Sequence, residues 1–266
     1  MPLAVCATPI GNLDDVTLRV LAELREAEVV LAEDTRHTRG LLARHGIEAR
    51  LLSYHEHNEA ARVAELLPRL AAGERMALVS DAGLPGISDP GARLVLAALD
   101  AGVPVTVLPG PSAVETALVA SGLASERYAF VGFLPRREAE RAELWAELAG
   151  WAWPVVAFES PQRLGAALRS LAAVAPGREV AVCRELTKRF EEVVRGSADE
   201  LAERFSTPPK GEITVVLGPG EGTPRTDAAA EAVADLVAAG TPRRVAAEVV
   251  ARLTDVSRND LYRGSL

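Results

Sequence analysis

Residues 80–91 of the chain read Ser-Asp-Ala-Gly-Leu-Pro-Gly-Ile-Ser-Asp-Pro-Gly. They follow the apolar run at residues 76–79 and precede an apolar pattern of helical period at residues 92–99. A short aliphatic run, a turn-rich loop and a helical period are typical of a β-strand, loop and α-helix unit. The chain is therefore predicted to be an α/β protein, and this loop is predicted to lie at the end of one of its strands.

The loop contains three glycines and two prolines, which restrict its backbone in opposite ways. Glycine permits positive φ and close backbone approach, whereas proline fixes φ and removes a donor. One interpretation is a rigid turn in which Asp89 caps a helix that begins at Pro90. We favour a ligand-binding loop, because twelve residues are many for a connection between strand and helix.

The alternation of strand and helix patterns divides the chain into three parts. Through about residue 122, predicted strands and helices alternate, which indicates a parallel sheet flanked by helices. The pattern then changes, and residues 123–220 are predicted to form a second α/β domain. After the Gly/Pro-rich stretch 218–224, residues 225–266 show no strand signal and are predicted to form two or three short helices. Strands are predicted at 3–8, 29–32, 51–52, 76–79, 105–108, 128–133, 155–158, 179–183, 191–195 and 212–217.

Composition narrows the class of protein. The chain has 266 residues, of which 48% are hydrophobic and 25% charged, an ordinary globular balance. We expect no signal peptide and no membrane span, because no sufficiently long apolar stretch occurs. Cys6 and Cys183 lie in strand-like runs and are expected to be buried thiols of a cytoplasmic protein. The net charge of −8 disfavours a protein that coats nucleic acid by bulk charge, but it permits a local basic face.

Several familiar kinds of site are not supported. The four histidines fall within residues 37–57, but His55 and His57 match no common zinc spacing, so no metal is expected. No Gly-x-Ser-x-Gly elbow and no Gly-x-Gly-x-x-Gly fingerprint occurs. Ser112 and Glu115 have the spacing of a capping box, with Gly122 predicted to end that helix.

What remains is a set of shaped loops and polar clusters at the predicted strand ends. The loops are residues 9–12, 80–91 and 109–112, and the polar clusters are residues 33–37 and 53–59. Open parallel sheets bind ligands at the carboxyl ends of their strands. Such loops suit a bulky cofactor that is held largely by main-chain contacts.

These same segments resemble one family in their order along the chain. The matching motifs are Thr8-Pro9-Ile10-Gly11-Asn12-Leu13, Ala32-Glu33-Asp34-Thr35-Arg36-His37-Thr38, Ser53-Tyr54-His55-Glu56-His57-Asn58-Glu59, Val79-Ser80-Asp81-Ala82-Gly83, Ile87-Ser88-Asp89-Pro90-Gly91, Pro109-Gly110-Pro111-Ser112-Ala113, Gly132-Phe133-Leu134-Pro135-Arg136, Glu159-Ser160-Pro161 and Arg184-Glu185-Leu186-Thr187-Lys188. They resemble ribosomal RNA small subunit methyltransferase I, a branch of the tetrapyrrole methylase superfamily. The likeness covers most of residues 1–217, and residues 253–262 resemble the family's helical tail. The family usually has Thr-Pro-Leu at positions 84–86 and histidine at position 162, where this chain has Leu-Pro-Gly and Gln162.

The resemblance implies transfer of a methyl group from S-adenosylmethionine to a ribose 2′-hydroxyl of a cytidine in 16S ribosomal RNA. It also implies a homodimer of two-domain subunits with the cofactor in the cleft between the domains. The residues implied to line the cofactor site from the first domain are Pro9, Ile10, Gly11, Asp81, Gly83, Leu84, Ser112 and Ala113. Arg184 and Gly211 are implied to close the site from the second domain.

Catalysis by such an enzyme needs alignment of the reacting atoms and a proton acceptor for the hydroxyl group. Asp34 or His55 is predicted to be that acceptor, with Arg36 and Asn58 orienting ribose and phosphate. The alternative is that these residues form helix caps and interdomain hydrogen bonds. Phosphate contacts are predicted from Arg36, Arg39, Arg136, Arg137, Arg141, Arg243 and Arg244, each of which could equally belong to a solvated helix face.

Two other functions stay open. One is a methyltransferase of the same superfamily that acts on a tetrapyrrole carbon or on a protein, and the cluster at residues 55–58 argues against it. The other is a non-catalytic ribosome-assembly factor that binds the cofactor and RNA but releases no S-adenosylhomocysteine.

Overall fold

The first sheet of the molecule is entirely parallel. In the computed structural model, which describes residues 2–220, 225–254 and 256–264, it has the strand order β3-β2-β4-β1-β5. Its strands are β1 Leu3–Cys6, β2 Val29–Ala32, β3 Leu51–Ser53, β4 Met76–Val79 and β5 Val105–Leu108. Strand β4 is central, and β1 lies between β4 and β5, where Leu3 is in register with Met76 of β4 and with Val105 of β5. The predicted parallel sheet is confirmed.

Both faces of this sheet are buried, as parallel sheets require. One hydrophobic cluster contains Val30 of β2 and Leu24, and the other contains Leu31 of β2 and Leu66. Alternate residues of one strand therefore serve opposite cores. The helices that follow the five strands are α1 Leu18–Glu26, α2 Thr35–Arg44, α3 Glu59–Ala71, α4 Ala92–Asp100 and α5 Ala113–Ser121, and a short 3-10 helix covers Leu13–Asp15.

The second sheet is mixed, with the strand order β6-β7-β10-β8-β9. Only β6 and β7 pair in parallel, and the other three pairings are antiparallel. Trp145, Leu164 and Phe205 are buried in the core on one face of this sheet. Its strands are β6 Ala129–Phe133, β7 Val155–Glu159, β8 Glu179–Arg184, β9 Glu192–Ser197 and β10 Ile213–Leu217, and its helices are α6 Glu138–Ala149, α7 Pro161–Ala172 and α8 Ala198–Arg204.

Helix α5 connects the two sheets. It follows the last strand of the first sheet, yet Val114, Ala117 and Leu118 pack in one cluster with Val156 and Val216 of the second sheet. Its last turn is bound by Arg195 of β9, which donates to the carbonyl oxygens of Ser121 and Ala120. The predicted domain boundary after residue 122 stays a prediction, and the second core begins at α5.

The C-terminal segment forms three helices, within the predicted two or three. They are α9 Arg225–Ala238, α10 Arg243–Leu253 and α11 Arg258–Gly264. Val233, Ala247 and Leu261 belong to a core drawn from these helices. Residues 221–224 of the predicted linker lie outside the described residues. Within the part of the chain that the structure describes, no helix is long and apolar enough to cross a membrane.

Neither the alternative cap at Asp89 nor the predicted capping box at Ser112 forms. Helix α4 begins at Ala92 after Gly91, not after Asp89, because the N–H of Gly91 is bound by Glu59 Oε1 of α3 at 3.0 Å. Ser112 precedes α5, but its hydroxyl binds the Glu115 carboxylate and accepts no backbone N–H, so the predicted capping box does not form. The predicted end of α5 at Gly122 is confirmed, since this residue is left-handed with φ 75°.

Candidate active site

A cavity of about 730 Å³ opens between the two sheets. The first sheet contributes the segments that follow β1, β2, β4 and β5, and the second contributes the ends of β6, β7 and β8 and the start of β10. Four of the five parallel strands of the first sheet thus have their carboxyl ends at this cavity. It therefore lies where such sheets bind ligands.

Seven of the ten predicted cofactor residues line the cavity, and three do not. Those that line it are Ile10, Asp81, Gly83, Leu84, Ser112, Ala113 and Gly211. Pro9, Gly11 and Arg184 lie outside the lining. Arg184 is held within the second sheet, where its Nε donates to Glu192 Oε2 at 3.0 Å and its guanidinium donates to the Lys210 carbonyl at 3.2 Å.

Gly11 lies where the loop after β1 meets the loop after β8. A Cβ at this position would lie 2.6 Å from Cγ of Lys188 and 2.9 Å from the carbonyl oxygen of Leu186. The adjacent Asn12 N–H donates to Thr187 Oγ1 at 3.0 Å. The absence of a side chain at Gly11 therefore permits a direct contact between loops of the two sheets.

Main-chain contacts hold the two central loops together. The N–H of Thr8 donates to the Gly83 carbonyl at 2.8 Å, and the N–H of Gly83 donates back to Thr8 at 3.1 Å. Thr8 Oγ1 also donates to the Ser80 carbonyl at 3.0 Å. Gly83 reaches this bridge with φ 75°, and Ser88 further along has φ 62° although it is not glycine. Such strain persists only where the surroundings hold the loop in place.

The cavity wall is acidic and otherwise largely apolar. Among the described residues, every charged residue in the lining is acidic, but Glu159 pairs with Arg163 at 2.5 Å and Glu212 with Lys188 at 2.8 Å from outside the lining. Buried Ile10, Val114 and Leu186 supply part of the apolar wall. The acidic residues are Glu33, Asp81, Asp89, Glu115, Glu159 and Glu212.

Three of these carboxyl groups have raised pKa values, and burial is the largest cause in each. Burial, with the nearby charges of Glu33 and Asp81, raises the pKa of Asp89 to about 6, although a hydrogen bond with Ser80 acts in the opposite direction. Burial and the charge of Asp81 also raise the pKa of Glu33. Burial also raises the pKa of Glu159, although a hydrogen bond from Ser160 and the charge of Arg163 act in the opposite direction. These carboxyl groups accept protons more readily than exposed ones.

Sequence reasoning assigned no cofactor or catalytic role to Glu33, Asp89 or Glu159, although all three fall within quoted motifs. Asp89 lies in the predicted ligand-binding loop, and the alternative of a helix cap is excluded because α4 begins only after Gly91. Glu33 directly follows β2 and Glu159 ends β7, each two residues before a helix, which is a signal for a strand end but not for a direction toward a cavity.

The predicted catalytic residues lie outside the cavity lining. Asp34 caps α2, accepting the Arg36 N–H at 2.8 Å and binding the Arg36 guanidinium at 2.7 Å. Hydrogen bonds from Arg36 hold the pKa of Asp34 well below its usual range. The Asp34 N–H donates to Asp81 Oδ1 at 3.0 Å, so this helix start is attached to the cavity wall.

His55 and Asn58 form a second local turn. The His55 N–H donates to Asn58 Oδ1 at 2.9 Å, and Asn58 Nδ2 lies 3.3 Å from His55 Nε2. Asn58 Nδ2 also donates to the Ser53 carbonyl at 3.2 Å. These contacts fit the alternative of local structural bonds, and the catalytic roles of Asp34, Arg36, His55 and Asn58 stay predictions.

One predicted phosphate contact is wrong. Arg141 is only 4% exposed and donates to the carbonyl oxygen of Pro135, because α6 packs this face against the second core. Arg36, in contrast, is 85% exposed at the start of α2. Arg39, Arg136, Arg137 and Arg244 are also exposed, and Arg243 is partly exposed.

Comparison with known proteins gives the family of this chain. The family described as "Tetrapyrrole (Corrin/Porphyrin) Methylases" matches residues 2–202. Ribosomal RNA small subunit methyltransferase I of Mycobacterium tuberculosis (strain CDC 1551 / Oshkosh) is 47% identical over 98% of this chain and 93% of its own length. The protein of that name from Micromonospora olivasterospora is 44% identical over 98% of this chain and 85% of its own length.

Solved structures show the same fold at lower identity. Uroporphyrin-III-C-methyltransferase from Thermus thermophilus is similar with a TM-score of 0.58 and 24% identity, covering 81% of this chain and 93% of that one. A cobalt precorrin-4 methyltransferase is similar with a TM-score of 0.59 and 18% identity, covering 81% and 94%. The two-sheet architecture and the near full-length relatives agree, and the chain belongs to the ribosomal RNA small subunit methyltransferase I family of the tetrapyrrole methylases.

Proposed function

We propose that this chain binds S-adenosylmethionine in the cavity and methylates 16S ribosomal RNA at the ribose 2′-hydroxyl of a cytidine. The observation that carries the proposal is the charge of the cavity: its described charged side chains are all carboxylates. When bound, the cofactor supplies an activated methyl group on a positively charged sulfur. An acidic, partly desolvated wall stabilises such a cation more than the neutral thioether product, which favours binding before transfer and release after it.

The remainder of the wall suits the uncharged parts of the cofactor. Ile10, Val114 and Leu186 are buried apolar residues, and Phe158 lies beside them. The segments at residues 81–84 and 109–113 line the same cavity. A mostly apolar cleft with a few fixed polar groups is the usual form of a cofactor site.

For the hydroxyl group, the four predicted catalytic residues are proposed to act at the edge of the cavity. The contact of the Asp34 N–H with Asp81 places α2 directly beside the wall. Arg36 is exposed enough to meet a phosphate group. Since Asp34 is ion-paired and has a lowered pKa, it is a weak proton acceptor, and His55 is the better of the two proposed bases.

The test is mass mapping of 16S ribosomal RNA after incubation of small ribosomal subunits with the protein and methyl-labelled S-adenosylmethionine. We expect one ribose-methylated cytidine, and no label with Asp81→Asn as a control for the cavity. Label at a base or at another nucleotide would overturn the cytidine assignment. Cofactor binding without any label in RNA would favour a tetrapyrrole or protein substrate or a non-catalytic assembly factor.

Two further properties are proposed with this function. Ribosomal RNA as substrate implies a cytoplasmic enzyme, and the family resemblance implies a homodimer. Light scattering of the purified protein tests the second: a subunit mass of 28.1 kDa predicts a particle of twice that mass. A particle of monomer mass across the working concentration range would contradict it.

A further inference from the structure

A β-bulge in strand β6 changes the direction of one aromatic side chain. In the pairing of β6 with β7, Phe130 is opposite Val156 and Phe133 is opposite Phe158. Two residues of β6 therefore occupy the space opposite one residue of β7, and Gly132 adopts φ 70° there. Side chains alternate along a regular strand, so Phe130 and Phe133 would point to opposite faces. The extra residue places them on the same face.

That face carries a cluster of three phenylalanines. The ring centroids of Phe130 and Phe158 lie 4.9 Å apart, and those of Phe133 and Phe158 lie 5.4 Å apart, both edge to face. Phe133 and Phe158 line the cavity. Phe130 and Phe158 are partly buried, whereas Phe133 is 59% exposed. The ring of Phe133 therefore packs against Phe158 on one side and is exposed to solvent at the cavity on the other.

A second exposed apolar side chain lines the same cavity from the other domain. Ile87, in the loop between β4 and α4, is 52% exposed. Its neighbour Ser88 approaches the bulge, since Ser88 Oγ lies 3.8 Å from the position that a Cβ would take at Gly132. The loop is held by Glu59, which binds the N–H of Gly91 and the hydroxyl of Tyr54. Two fixed segments thus present apolar groups at the cavity opening.

These two side chains differ in burial from the rest of the apolar wall. Ile10, Val114 and Leu186 are each less than 10% exposed and form the interior. The exposed pair lies further out, so a ligand that fills the interior leaves room for a second apolar group against it. The acidic lining disfavours entry of a phosphate. A substrate nucleotide must therefore enter with its uncharged base and sugar first.

We propose that Phe133 and Ile87 clamp the base of the target nucleotide after it has left the RNA stack, with Phe133 as the stacking platform. The inference rests on the proposed function, because it assumes an RNA substrate. Enzymes that act on single nucleotides extrude them from the stack, and proteins hold unstacked bases on aromatic side chains. The clamp pairs the base with a ring of one domain and an aliphatic group of the other.

The test compares Phe133→Ala with Phe133→Trp and with Phe190→Ala. Phe190 is 65% exposed, lies outside the cavity lining and serves as a matched control. Methylation of small ribosomal subunits is followed at varied subunit concentration, and cofactor affinity is measured by calorimetry. Loss of one base stack predicts a rise in KM for the subunit of about 5- to 100-fold in Phe133→Ala. We expect Phe133→Trp and Phe190→Ala to stay within about twofold of the unmodified protein, on the same stacking argument.

Cofactor affinity distinguishes the two planar groups that could meet Phe133. An unchanged Kd for S-adenosylmethionine in Phe133→Ala, together with the raised KM, supports the clamp. A weakened cofactor Kd with an unchanged subunit KM would assign Phe133 to the adenine of the cofactor and overturn the inference, as would unchanged kinetics throughout. If the unmodified protein methylates no RNA, the proposed function itself fails, a result that is separate from all the variant comparisons.

Discussion

At the scale of single residues, the charge of the cavity depends on the pKa values of its carboxyl groups. Burial and the nearby charges of Glu33 and Asp81 raise the pKa of Asp89 to about 6. Glu33 faces it from the end of β2, and Asp81 and Ser80 face it from the segment after β4. Since three acids share one partly buried space, protonation of one relieves repulsion among all three.

Cofactor affinity should therefore depend on pH. The ionised form of Asp89 attracts a cation and the protonated form does not, so binding weakens as pH falls through about 6. We expect S-adenosylmethionine to lose up to roughly tenfold in affinity between pH 7 and pH 5, on the basis of one linked proton. S-adenosylhomocysteine, which lacks the positive sulfur, should change less. Calorimetry at several pH values checks this, and Asp89→Asn should flatten the cofactor profile; parallel profiles for both ligands would contradict the prediction.

Asp34 can be assigned to structure or to catalysis by two substitutions. Asp34→Ala removes the cap of α2 and should lower the midpoint of chemical denaturation. Asp34→Asn keeps a capping oxygen but loses the charge that pairs with Arg36, so its midpoint should fall much less. A catalytic or RNA-positioning role requires that Asp34→Asn loses turnover while it stays folded. Turnover and chemical denaturation are measured on the same variant. Full turnover of Asp34→Asn would show that Asp34 acts only as a helix cap.

At the scale of elements, α5 and the β6 bulge are placed by partners from distant parts of the chain. Arg195 of β9 donates to Ser121 at 2.6 Å and closes the end of α5. The bulge at Gly132 exists only in relation to β7. Neither the contact of α5 with β9 nor the pairing of the bulge with β7 can be predicted from the local sequence.

The bond from Arg195 to α5 should contribute measurably to stability. Arg195→Ala leaves the last carbonyl groups of α5 without this charged donor, so we expect a loss of about 1.5–3 kcal/mol in the free energy of unfolding. Arg252 is a suitable control, because it is 73% exposed and lies 3.7 Å from Glu248. Arg252→Ala should cost at most about 0.5 kcal/mol. Equal midpoints of denaturation for the two variants would show that the hydrogen bonds from Arg195 to α5 do not stabilise the fold.

The bulge itself can be tested by giving its glycine a side chain. Gly132→Ala disfavours φ 70° by about 1–2 kcal/mol and should shift Phe133 from its position on β6. Gly73→Ala is the matched control, because Gly73 has φ 94° with no atom within 4 Å of an added Cβ. Both variants should lose similar stability in thermal melts, and only Gly132→Ala should raise the subunit KM. A raised KM in both would point to general destabilisation.

At the scale of the whole molecule, the arginines proposed to contact RNA lie outside the acidic cavity lining. The cavity is acidic, while exposed arginines such as Arg36, Arg136 and Arg137 lie outside its lining. A protein of net charge −8 can bind RNA in this way, because phosphates meet the arginines and only the nucleotide being modified enters the acidic space. Gly11 and the loop it contacts connect the two sheets on either side of that space.

Binding to RNA should fall steeply with salt, and binding to the cofactor should not. Arg136→Ala with Arg137→Ala should reduce the slope of log affinity against log salt by up to about 2, if each arginine neutralises one phosphate. Filter binding of 16S ribosomal RNA between low and moderate salt measures the slope. Arg141→Ala is no substitute, because this side chain is buried and its loss would disturb the second core. If the double substitution leaves the slope unchanged, Arg136 and Arg137 do not contact the RNA phosphates.

Much of the architecture could be predicted from local patterns. Apolar runs identified the strands, glycine and proline identified the loops, and Gly122 identified a helix end, because each of these depends on backbone preferences of a few residues. The family motifs pointed to the loops that form the cavity wall, since seven of the ten residues inferred from them line the cavity.

The sequence by itself determined the α/β order, the loops that form the wall and the family. Only the tertiary structure decided that Asp89 lines a cavity instead of capping a helix, that Arg141 is buried, that α5 packs on the second sheet and that Phe133 turns toward the opening. The physical reason is that each of these depends on a partner far away in the chain: Glu59 for the loop end, the second core for Arg141 and α5, and β7 for the bulge. Local sequence preferences do not predict such partners, because the contacts form only in the tertiary structure.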